Sequence, residues 1–271
     1  MKPFIRWAGS KRSVLGQLRT FWRDSSSRYV EPFCGSACLF FDLEPDSAVL
    51  GDLNEELLCA FRAIKTDPHI VLECVRRFPR GKAGYYRVRA MRPLTLAIAE
   101  RAARFIYLNR YCFNGIYRTN LAGEFNVPYG PPKSGNPPDA DAIVAASEAL
   151  QKANLIHGDF EATLEHVRPN DFVYLDPPYY VDSERIFREY GPGAFSLSDL
   201  KRLKSQLKRL DELGATFVVS YADCPEARDL LRPWYSRQIQ TRRHVAGFSG
   251  YRRTAYELLA SNRPVDPGVA S

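Results

Sequence analysis

The residues whose types most clearly suit catalysis are Asp176-Pro177-Pro178-Tyr179, which directly follow the apolar run Phe172–Leu175. Such a run predicts a buried strand, and ligands of an open α/β sheet bind beyond the carboxyl ends of its strands. An exocyclic amine on a nucleobase is a poor nucleophile because its lone pair is delocalised into the ring. Asp176 offers a carboxylate and Pro177 a fixed carbonyl, and these two acceptors for the amine protons would make the nitrogen nucleophilic.

The rest of the tetrapeptide fits amine methylation. The two prolines stiffen the backbone and bring no competing N–H donor, and the Tyr179 ring is suited to stack on a base that has been turned out of a helix. We therefore predict Asp176, Pro177, Pro178 and Tyr179 as catalytic residues. The motif alone leaves a second interpretation open, a proline-stiffened strand exit with an aspartate that starts a helix.

A second motif, Glu31-Pro32-Phe33-Cys34-Gly35, follows another predicted strand and precedes a predicted helix. Gly35 lets the backbone approach a ligand closely at this turn, as in sites for nucleotide-like cofactors. Asp52 ends the next predicted strand, where its carboxylate can bind two ribose hydroxyls. The sequence has neither a G-x-G-x-x-G motif nor a Walker lysine motif, which argues against NAD and ATP.

These motifs lie at the ends of short β-rich runs that alternate with helical stretches. The runs are Arg28–Phe33, Ala48–Leu50, Asn154–His157, Phe172–Leu175 and Thr216–Ser220. One helix is well specified, since Ser196 and Asp199 have capping-box spacing and Gly214 ends the apolar periodicity. The alternation predicts an α/β domain with a mostly parallel sheet.

The alternation is interrupted between Asn54 and Ser147. Predicted helices at Glu55–Lys65 and Leu94–Leu108 precede a passage rich in Gly, Asn and Pro that has no sheet-like run. The predicted organisation is a catalytic domain over residues 1–53 and 148–262, an inserted helical subdomain over 54–147, and a disordered tail over 263–271.

The charge distribution favours a polyanionic partner. The chain carries 38 Lys plus Arg against 31 Asp plus Glu, which gives a net charge of +7 and a pI near 9.1. Two segments contain no acid, Arg76–Arg92 with seven basic residues and Arg237–Arg253 with five arginines. Aromatic side chains are interleaved in both, which suits phosphate neutralisation with stacking on bases better than a plain solvated surface.

Composition also excludes several kinds of site. Six cysteines without a C-x-x-C pair predict buried free thiols in a reducing compartment, and four histidines without metal-ligand spacing predict no metal. No apolar run approaches the roughly 18 residues of a membrane span. We expect a cytoplasmic protein with neither a metal nor a membrane partner.

Six ordered blocks of the chain resemble the Dam family of DNA adenine methyltransferases, of the alpha group and D12 class. The blocks are Phe4–Arg12, Glu31–Gly35, Asp52–Asn54, Asn109–Gly115, Gly123–Gly130 and Asp176–Tyr179. The resemblance implies a Rossmann-like methyltransferase sheet, S-adenosylmethionine as cofactor and double-stranded DNA as partner. It also implies that the helical insertion is a target-recognition subdomain.

Roles for individual residues follow from the resemblance. The residues expected at the cofactor are Trp7, Lys11, Glu31, Phe33, Gly35, Asp52, Asp159, Phe160 and Asp176, with Asp159 and Phe160 on its adenine side. The residues expected at DNA are Arg110, Phe113, Asn114, Arg118, Asn120 and Pro128. Arginine can bridge guanine O6 and N7, asparagine can address adenine N6 and N7, and a ring can wedge into the stack. Ser36-Ala37-Cys38 departs from the family pattern, and we expect altered loop geometry there with cofactor binding retained.

The chain is thus predicted to methylate N6 of a flipped adenine in duplex DNA as a monomer. GATC is the leading target because Arg118 and the Asn109–Gly130 hairpin resemble the family's reader. Enzymes with motifs similar to D-P-P-Y also methylate guanine in ribosomal RNA or glutamine in proteins, and a non-catalytic DNA-binding protein with this fold is a third alternative. The insertion and the Trp7–Lys11 block argue against RNA and protein substrates. Intact Asp52, Asp176 and Tyr179 argue against loss of catalysis.

Overall fold

A seven-stranded sheet forms the centre of the molecule. The computed structural model describes residues 1–23, 26–130, 139–179, 195–244 and 252–264. The strands are β1 (Tyr29–Glu31), β2 (Ala48–Asp52), β3 (Ala153–His157), β4 (Phe172–Leu175), β5 (Thr216–Ala222), β6 (Tyr235–His244) and β7 (Arg252–Ser261). They lie in the order β3-β2-β1-β4-β5-β7-β6. The sequence predicted β1 to β5, and the predicted α/β fold is confirmed.

The strand order places the two sequence motifs side by side. Strands β1 to β5 pair in parallel, whereas β7 is antiparallel to both β5 and β6. The order reverses at β1, because β2 lies on one side of it and β4 on the other. Such a switch point opens a crevice at the carboxyl ends of the two strands. Val30 pairs with Val173, so the chain leaves the sheet after Glu31 and after Leu175 at neighbouring positions.

Helices cover both faces of this sheet. The α-helices in the described residues are α1 (Leu15–Arg19), α2 (Cys38–Leu43), α3 (Glu55–Thr66), α4 (Pro68–Arg77), α5 (Gly81–Ala90), α6 (Ile98–Tyr111), α7 (Ala140–Gln151), α8 (Phe160–Leu164), α9 (Leu197–Leu213) and α10 (Pro225–Leu231). Short 3-10 helices span Lys11–Val14, Pro93–Thr95 and Phe113–Gly115. The predicted capping box is present at the start of α9, and Gly214 ends that helix in the left-handed region with φ +82°.

Alternation along the strands divides the apolar side chains between two core clusters. Tyr29, Phe172 and Tyr174 pack on the face that carries α2, α3, α6 and α7. Val30 and Val173 pack on the opposite face with α8, α9 and α10. This period of two is expected for strands buried on both sides, and it gives a sheet with helices packed on each face.

The predicted insertion contributes to the main core and also has a small core of its own. Helices α3, α4 and α6 join the first cluster through residues such as Leu58, Val71 and Ile106. A separate cluster of Tyr85, Val88, Tyr107, Leu108, Cys112 and Val127 holds α5 against the segment after α6. That segment is an antiparallel hairpin with bridges at Cys112–Tyr129 and Thr119–Phe125, where the sequence pattern alone indicated no sheet-like run. The boundaries 54–147 stay a prediction.

The C-terminal hairpin β6–β7 was not predicted from the sequence. Strand β6 lies at the edge of the sheet and alternates polar side chains with the buried Ile239 and Thr241, so it lacks the apolar run by which the other strands were identified. The predicted disordered tail spans residues 263–271, of which 263 and 264 are described, with the Arg263 N–H donating to the Ser261 hydroxyl, and 265–271 lie outside the described residues. No described helix is long and apolar enough to cross a membrane.

Candidate active site

Asp176 is the first residue after β4, and its carboxylate is held by contacts from two other parts of the chain. Lys11 Nζ lies 2.7 Å from Oδ1 and 2.9 Å from Oδ2. Ser220, on β5, donates its hydroxyl to Oδ1 at 2.9 Å. The side chain remains 20% exposed, so these contacts fix Asp176 without enclosing it completely.

The protonation of this pair follows from opposing effects. Burial raises the pKa of Asp176, whereas the Lys11 charge and the Lys11 and Ser220 hydrogen bonds oppose that rise. Burial works against the charge on Lys11 too, but the charges of Asp176, Tyr179 and Glu257 outweigh it and raise the pKa of Lys11 above its ordinary value. We conclude that Lys11 is a permanent cation that helps to keep Asp176 ionised.

Tyr179 is anchored at its hydroxyl. That group donates to Glu257 Oε1 at 2.9 Å and accepts from Lys11 Nζ at 3.2 Å. The ring lies edge-on to Tyr221, with centroids 5.2 Å apart. Pro178 is exposed and Pro177 is buried. The hydrogen bonds of the hydroxyl fix the orientation of the Tyr179 ring, as a ring that stacks on a base requires.

The Asp52 carboxylate accepts hydrogen bonds from two backbone N–H groups, one of them in the Glu31–Gly35 motif. Gly35 N–H donates to Asp52 Oδ2 and Asn54 N–H donates to Oδ1, both at 2.9 Å. Burial raises the pKa of Asp52, and these backbone donors oppose that rise. Gly35 has φ +46°, and a Cβ there would lie 2.6 Å from Cδ1 of Trp7. Position 35 therefore requires glycine, because any side chain there would collide with Trp7.

The loop after Gly35 shows the geometry of the departure noted in the sequence. Ala37 has φ +50° and immediately precedes α2. An alanine in this left-handed conformation carries a steric cost that glycine would avoid. Cys38 and Ser36 are buried beside it, so the loop is fixed by packing.

Glu31 lies beneath the crevice and is 2% exposed. Burial raises the pKa of Glu31, and the Tyr29 hydroxyl donates to Oε2 at 2.9 Å. Its contact with the cofactor stays a prediction.

An aromatic wall stands on the β3 side of the crevice. The rings of Phe33 and Phe160 are stacked at 5.3 Å, and Phe195 meets both at 6.0 and 6.1 Å. Phe160 is 4% exposed, so the more accessible ring is that of Phe33. Asp159 caps α8 by accepting the Glu161 N–H at 3.1 Å.

The residues of this crevice fit S-adenosylmethionine. Asp52 is only partly buried, and its oxygens retain lone pairs for ribose hydroxyls. Trp7 and Phe33 present partly exposed rings on either side of the glycine turn, where a nucleoside can pack. Within the described residues no group of three or more His, Cys, Asp or Glu is placed to hold a metal ion, and the absence of a metal stays a prediction.

The hairpin after α6 exposes most of the residues expected at DNA. Phe113 is 37% exposed, and Asn114, Arg118, Asn120 and Pro128 are also exposed. Arg118 Nε donates to Asn126 Oδ1 at 2.9 Å, which orients the guanidinium across the hairpin. The hairpin thus presents an aromatic ring, amides and a guanidinium from one short segment.

Asn120 has a structural task in this hairpin. Its Oδ1 accepts the N–H groups of Ala122 and Glu124 at 3.1 and 2.9 Å, and its Nδ2 donates to the Glu124 carboxylate at 3.0 Å. These bonds form the tip of the hairpin, as asparagine commonly does in turns. Contact between Asn120 and DNA stays a prediction.

Arg110 differs from the other candidates because it is half-buried. It donates to the Phe4 carbonyl, and burial lowers its pKa to about 10, with Arg6 and Arg12 acting in the same direction. Its Nε has no hydrogen-bond partner among the described residues. An anion such as a DNA phosphate would relieve this concentration of positive charge.

Helix α5 joins the basic segment Arg76–Arg92 to the hairpin. Arg89 donates to the carbonyls of Asn126 and Val127 at 3.4 and 3.2 Å, and the Tyr85 hydroxyl donates to Val127 at 2.9 Å. The exposed basic residues near it are Arg76, Arg77, Arg80, Lys82, Arg87 and Arg92. A positively charged surface therefore flanks the hairpin.

Sequence reasoning missed several residues of the site. Ser220 and Glu257 fix Asp176 and Tyr179 from strands β5 and β7, and Tyr117 stacks on Trp7 with centroids 5.9 Å apart. The available signal was a polar residue within an otherwise apolar strand, as in Tyr256–Ala260. That signal indicates a buried polar group without naming its partner.

Comparison with known proteins shows what the chain resembles. A model described as "D12 class N6 adenine-specific DNA methyltransferase" matches residues 7–245. The chain is 33% identical to Type II methyltransferase M1.LlaDCHI of Lactococcus lactis subsp. cremoris, over 97% of this chain and 95% of that protein. It is 32% identical to Type II methyltransferase M.MjaIII of Methanocaldococcus jannaschii, over 81% and 84%.

Two further similarities are more distant. DNA adenine methylase of Escherichia coli K12 is 29% identical over 100% of this chain and 97% of that protein. The crystal structure of precorrin 8W decarboxylase from Methanobacterium thermoautotrophicum superposes with a TM-score of 0.41 and 10% identity, over 96% of this chain and 94% of that chain. The superposition is too loose to inform the chemistry.

Proposed function

Because the chain belongs to the D12 class of N6 adenine-specific DNA methyltransferases, we propose that it transfers a methyl group from S-adenosylmethionine to N6 of an adenine turned out of duplex DNA. The observation that carries the proposal is the Asp176 carboxylate, fixed by Lys11 and Ser220 and partly open to a crevice that also contains Asp52. The hydrogen-bond acceptor for the amine and the proposed site for the methyl donor thus lie at the same end of the sheet, beyond the carboxyl ends of its parallel strands.

S-adenosylmethionine supplies an electrophilic methyl group. In the proposed complex Asp52 accepts its ribose hydroxyls, and Trp7 and Phe33 border the nucleoside. Asp159 and Phe160 are assigned to the adenine end of the cofactor. The remaining assigned cofactor residues are the cationic Lys11, Glu31 beneath the crevice, Gly35 at the turn, and Asp176, which borders the methyl donor as well as the target amine.

Asp176 retains capacity to accept a proton from the target amine. A carboxylate has about four lone-pair sites. Three hydrogen bonds reach it within the described residues, two from Lys11 and one from Ser220. The remaining site on Oδ2 and the carbonyl of Pro177 would accept hydrogen bonds from the two amine N–H groups, which directs the nitrogen lone pair toward the methyl group. Methyl transfer would leave S-adenosylhomocysteine, and the surplus proton on the nitrogen would pass to the Asp176 carboxylate. Tyr179 would stack on the flipped base.

For the target sequence we propose GATC. Arg118 is assigned to guanine O6 and N7, Asn114 to an adenine edge, and Phe113 to the gap in the stack. The exposed position of all three on one hairpin supports this assignment. Asn120 is assigned to the same reading hairpin, and Arg110 and Pro128 to other DNA contacts around the target.

Transfer of a tritium-labelled methyl group to three acceptors tests the proposal. Purified enzyme would be incubated with labelled S-adenosylmethionine and GATC-containing duplex DNA, ribosomal RNA or total protein. We expect label in the DNA alone, recovered as N6-methyladenine after hydrolysis. Label in RNA or protein would show that the proposed substrate is wrong. A protein that binds DNA but no cofactor would be a non-catalytic DNA-binding protein.

A further inference from the structure

Arg202 is the most heavily engaged cation in the described part of the chain outside the catalytic network, and nothing in the motifs indicated it. We infer that Arg202 is a positioning residue, which holds the wall for the adenine end of the cofactor without touching the reacting atoms. This inference rests on the proposed function, because that function places a nucleoside beside Phe33 and Asp159.

The guanidinium of Arg202 binds acidic side chains from two helices. Its Nη2 donates to carboxylate oxygens of both Asp159 and Glu161, at the start of α8. Its Nη1 donates to Asp199 at 2.9 Å, on the first turn of α9. Three carboxylates around one planar group fix its orientation and, in return, the orientation of Asp159. The guanidinium also holds the pKa of Glu161 below its usual range.

The same guanidinium lies over the aromatic wall. Its central carbon is 4.7 Å from the ring centroid of Phe160. Phe160 in turn stacks on Phe33 at 5.3 Å, and Phe33 is the more accessible ring of this pair. A cation over a ring face is held by the ring's quadrupole, so Arg202 restrains Phe160 and, through it, Phe33.

The wall is directly connected to the ribose site. Gly158 N–H donates to the backbone carbonyl of Asp52 at 3.1 Å, and Asp159 follows immediately. A nucleoside whose ribose is bound by Asp52 would therefore place its base against Phe33 and the Asp159 turn. Restraining these groups before binding lowers the ordering cost of the complex, which appears as tighter cofactor binding.

Arg209 provides a matched comparison within the same helix. It lies seven residues further along α9 and donates to the Leu164 carbonyl at the end of α8 at 2.8 Å. It therefore joins the same two helices as Arg202. Its side-chain hydrogen bonds within the described residues go to Leu164 and Gln206, not to Asp159. A general role in docking α9 on α8 would give both arginines the same effect on binding, whereas a positioning role would not.

Calorimetry with S-adenosylhomocysteine tests the inference on wild type, Arg202→Ala, Arg202→Lys and Arg209→Ala. We expect Arg202→Ala to raise the dissociation constant about tenfold, from loss of the stacked and ion-paired contacts. Arg202→Lys keeps the charge without the planar fork and should lie in between, and Arg209→Ala should stay within about twofold of wild type. Thermal unfolding of each variant would show that it is folded.

Steady-state kinetics provide a second readout, because a positioning role changes KM for the cofactor and leaves kcat unchanged, whereas a general structural defect would alter both. Arg202→Ala should raise KM for S-adenosylmethionine by a similar factor while kcat at saturating cofactor stays near the wild-type value. Unchanged binding in Arg202→Ala, or equal loss in Arg209→Ala, would overturn the inference and leave the proposed function standing. Wild-type protein that binds no S-adenosylhomocysteine would overturn both.

Discussion

At the level of single residues, the active site depends on partners that lie far away in the sequence. The D-P-P-Y motif indicated Asp176 and Tyr179 because their types and position carry chemical meaning. Ser220 and Glu257 were not predicted, since a serine or glutamate within a strand has many ordinary roles. Only the parallel neighbour β5 and the antiparallel β7 bring them to the motif.

Asp52→Ala should weaken binding of S-adenosylhomocysteine. The ribose hydroxyls would lose a charged acceptor worth roughly 1.5 to 3 kcal/mol. Asn54→Ala is the control, because Asn54 caps α3 through the Leu57 N–H and its backbone N–H remains available to Asp52. Calorimetry should show a weaker complex for Asp52→Ala and little change for Asn54→Ala. Equal affinities in Asp52→Ala and wild type would move the ribose site elsewhere.

Lys11→Met should shift the pH dependence of methyl transfer. Burial raises the pKa of Asp176 and the Lys11 charge opposes that rise, so removing the charge should raise this pKa further. Asp176 accepts a proton only when it is ionised, and the acid limb of kcat should therefore move to higher pH. Rates at saturating cofactor across the acid range measure this limb. A limb that stays in place or moves to lower pH would contradict the proposed electrostatic role of Lys11.

At the level of elements, alternation of apolar runs predicted the strands of the parallel sheet and the long helix α9. Residues buried on both faces leave a strong apolar signal, and Ser196 with Gly214 marked the helix ends. Helices α4 and α5 were not predicted because each spans only ten residues, and α5 contains two glycines, which weaken the helical pattern. The β6–β7 hairpin was missed because an edge strand buries fewer side chains, so its pattern resembles that of a polar loop.

Gly51→Ala should destabilise the contact between β2 and α8. A Cβ at Gly51 would lie 1.8 Å from Thr163 Oγ1 and 2.9 Å from Thr163 Cβ, and Thr163 is fully buried. Overpacking of this kind costs about 1 to 3 kcal/mol of unfolding free energy. Gly16→Ala is the matched control, because a Cβ there meets no atom within 4 Å. Urea unfolding should show the loss only in Gly51→Ala, and equal stability of the two variants would contradict the packing.

Arg118→Ala should alter sequence choice if Arg118 reads a guanine. The loss would be about 1 to 3 kcal/mol on the cognate duplex, with relaxed discrimination at one base pair. Arg87, exposed on α5, provides a comparison for phosphate contact, and Arg87→Ala should weaken methylation of all duplexes alike. Methylation rates on GATC and its single-base variants separate these patterns. A uniform loss in Arg118→Ala would remove Arg118 from base reading.

At the level of the whole molecule, the hairpin proposed to read DNA and the crevice proposed to bind the cofactor are joined by direct packing. Trp7 stacks on Tyr117 of the hairpin, and Asn109 exchanges two hydrogen bonds with the backbone of Arg6. The family resemblance predicted both sites, but sequence spacing could not show that they touch. Contacts between the N-terminal block and a segment about a hundred residues later are a property of the folded chain.

The central claim is that Asp176 activates the N6 amine of adenine in duplex DNA. The most direct measurement is mass spectrometry of hydrolysed DNA from a host that lacks adenine methylation and expresses either wild type or Asp176→Ala at equal levels of folded protein. The account predicts N6-methyladenine with wild type and background levels with the variant. Unmethylated DNA with wild type, or undiminished N6-methyladenine with Asp176→Ala, would contradict it.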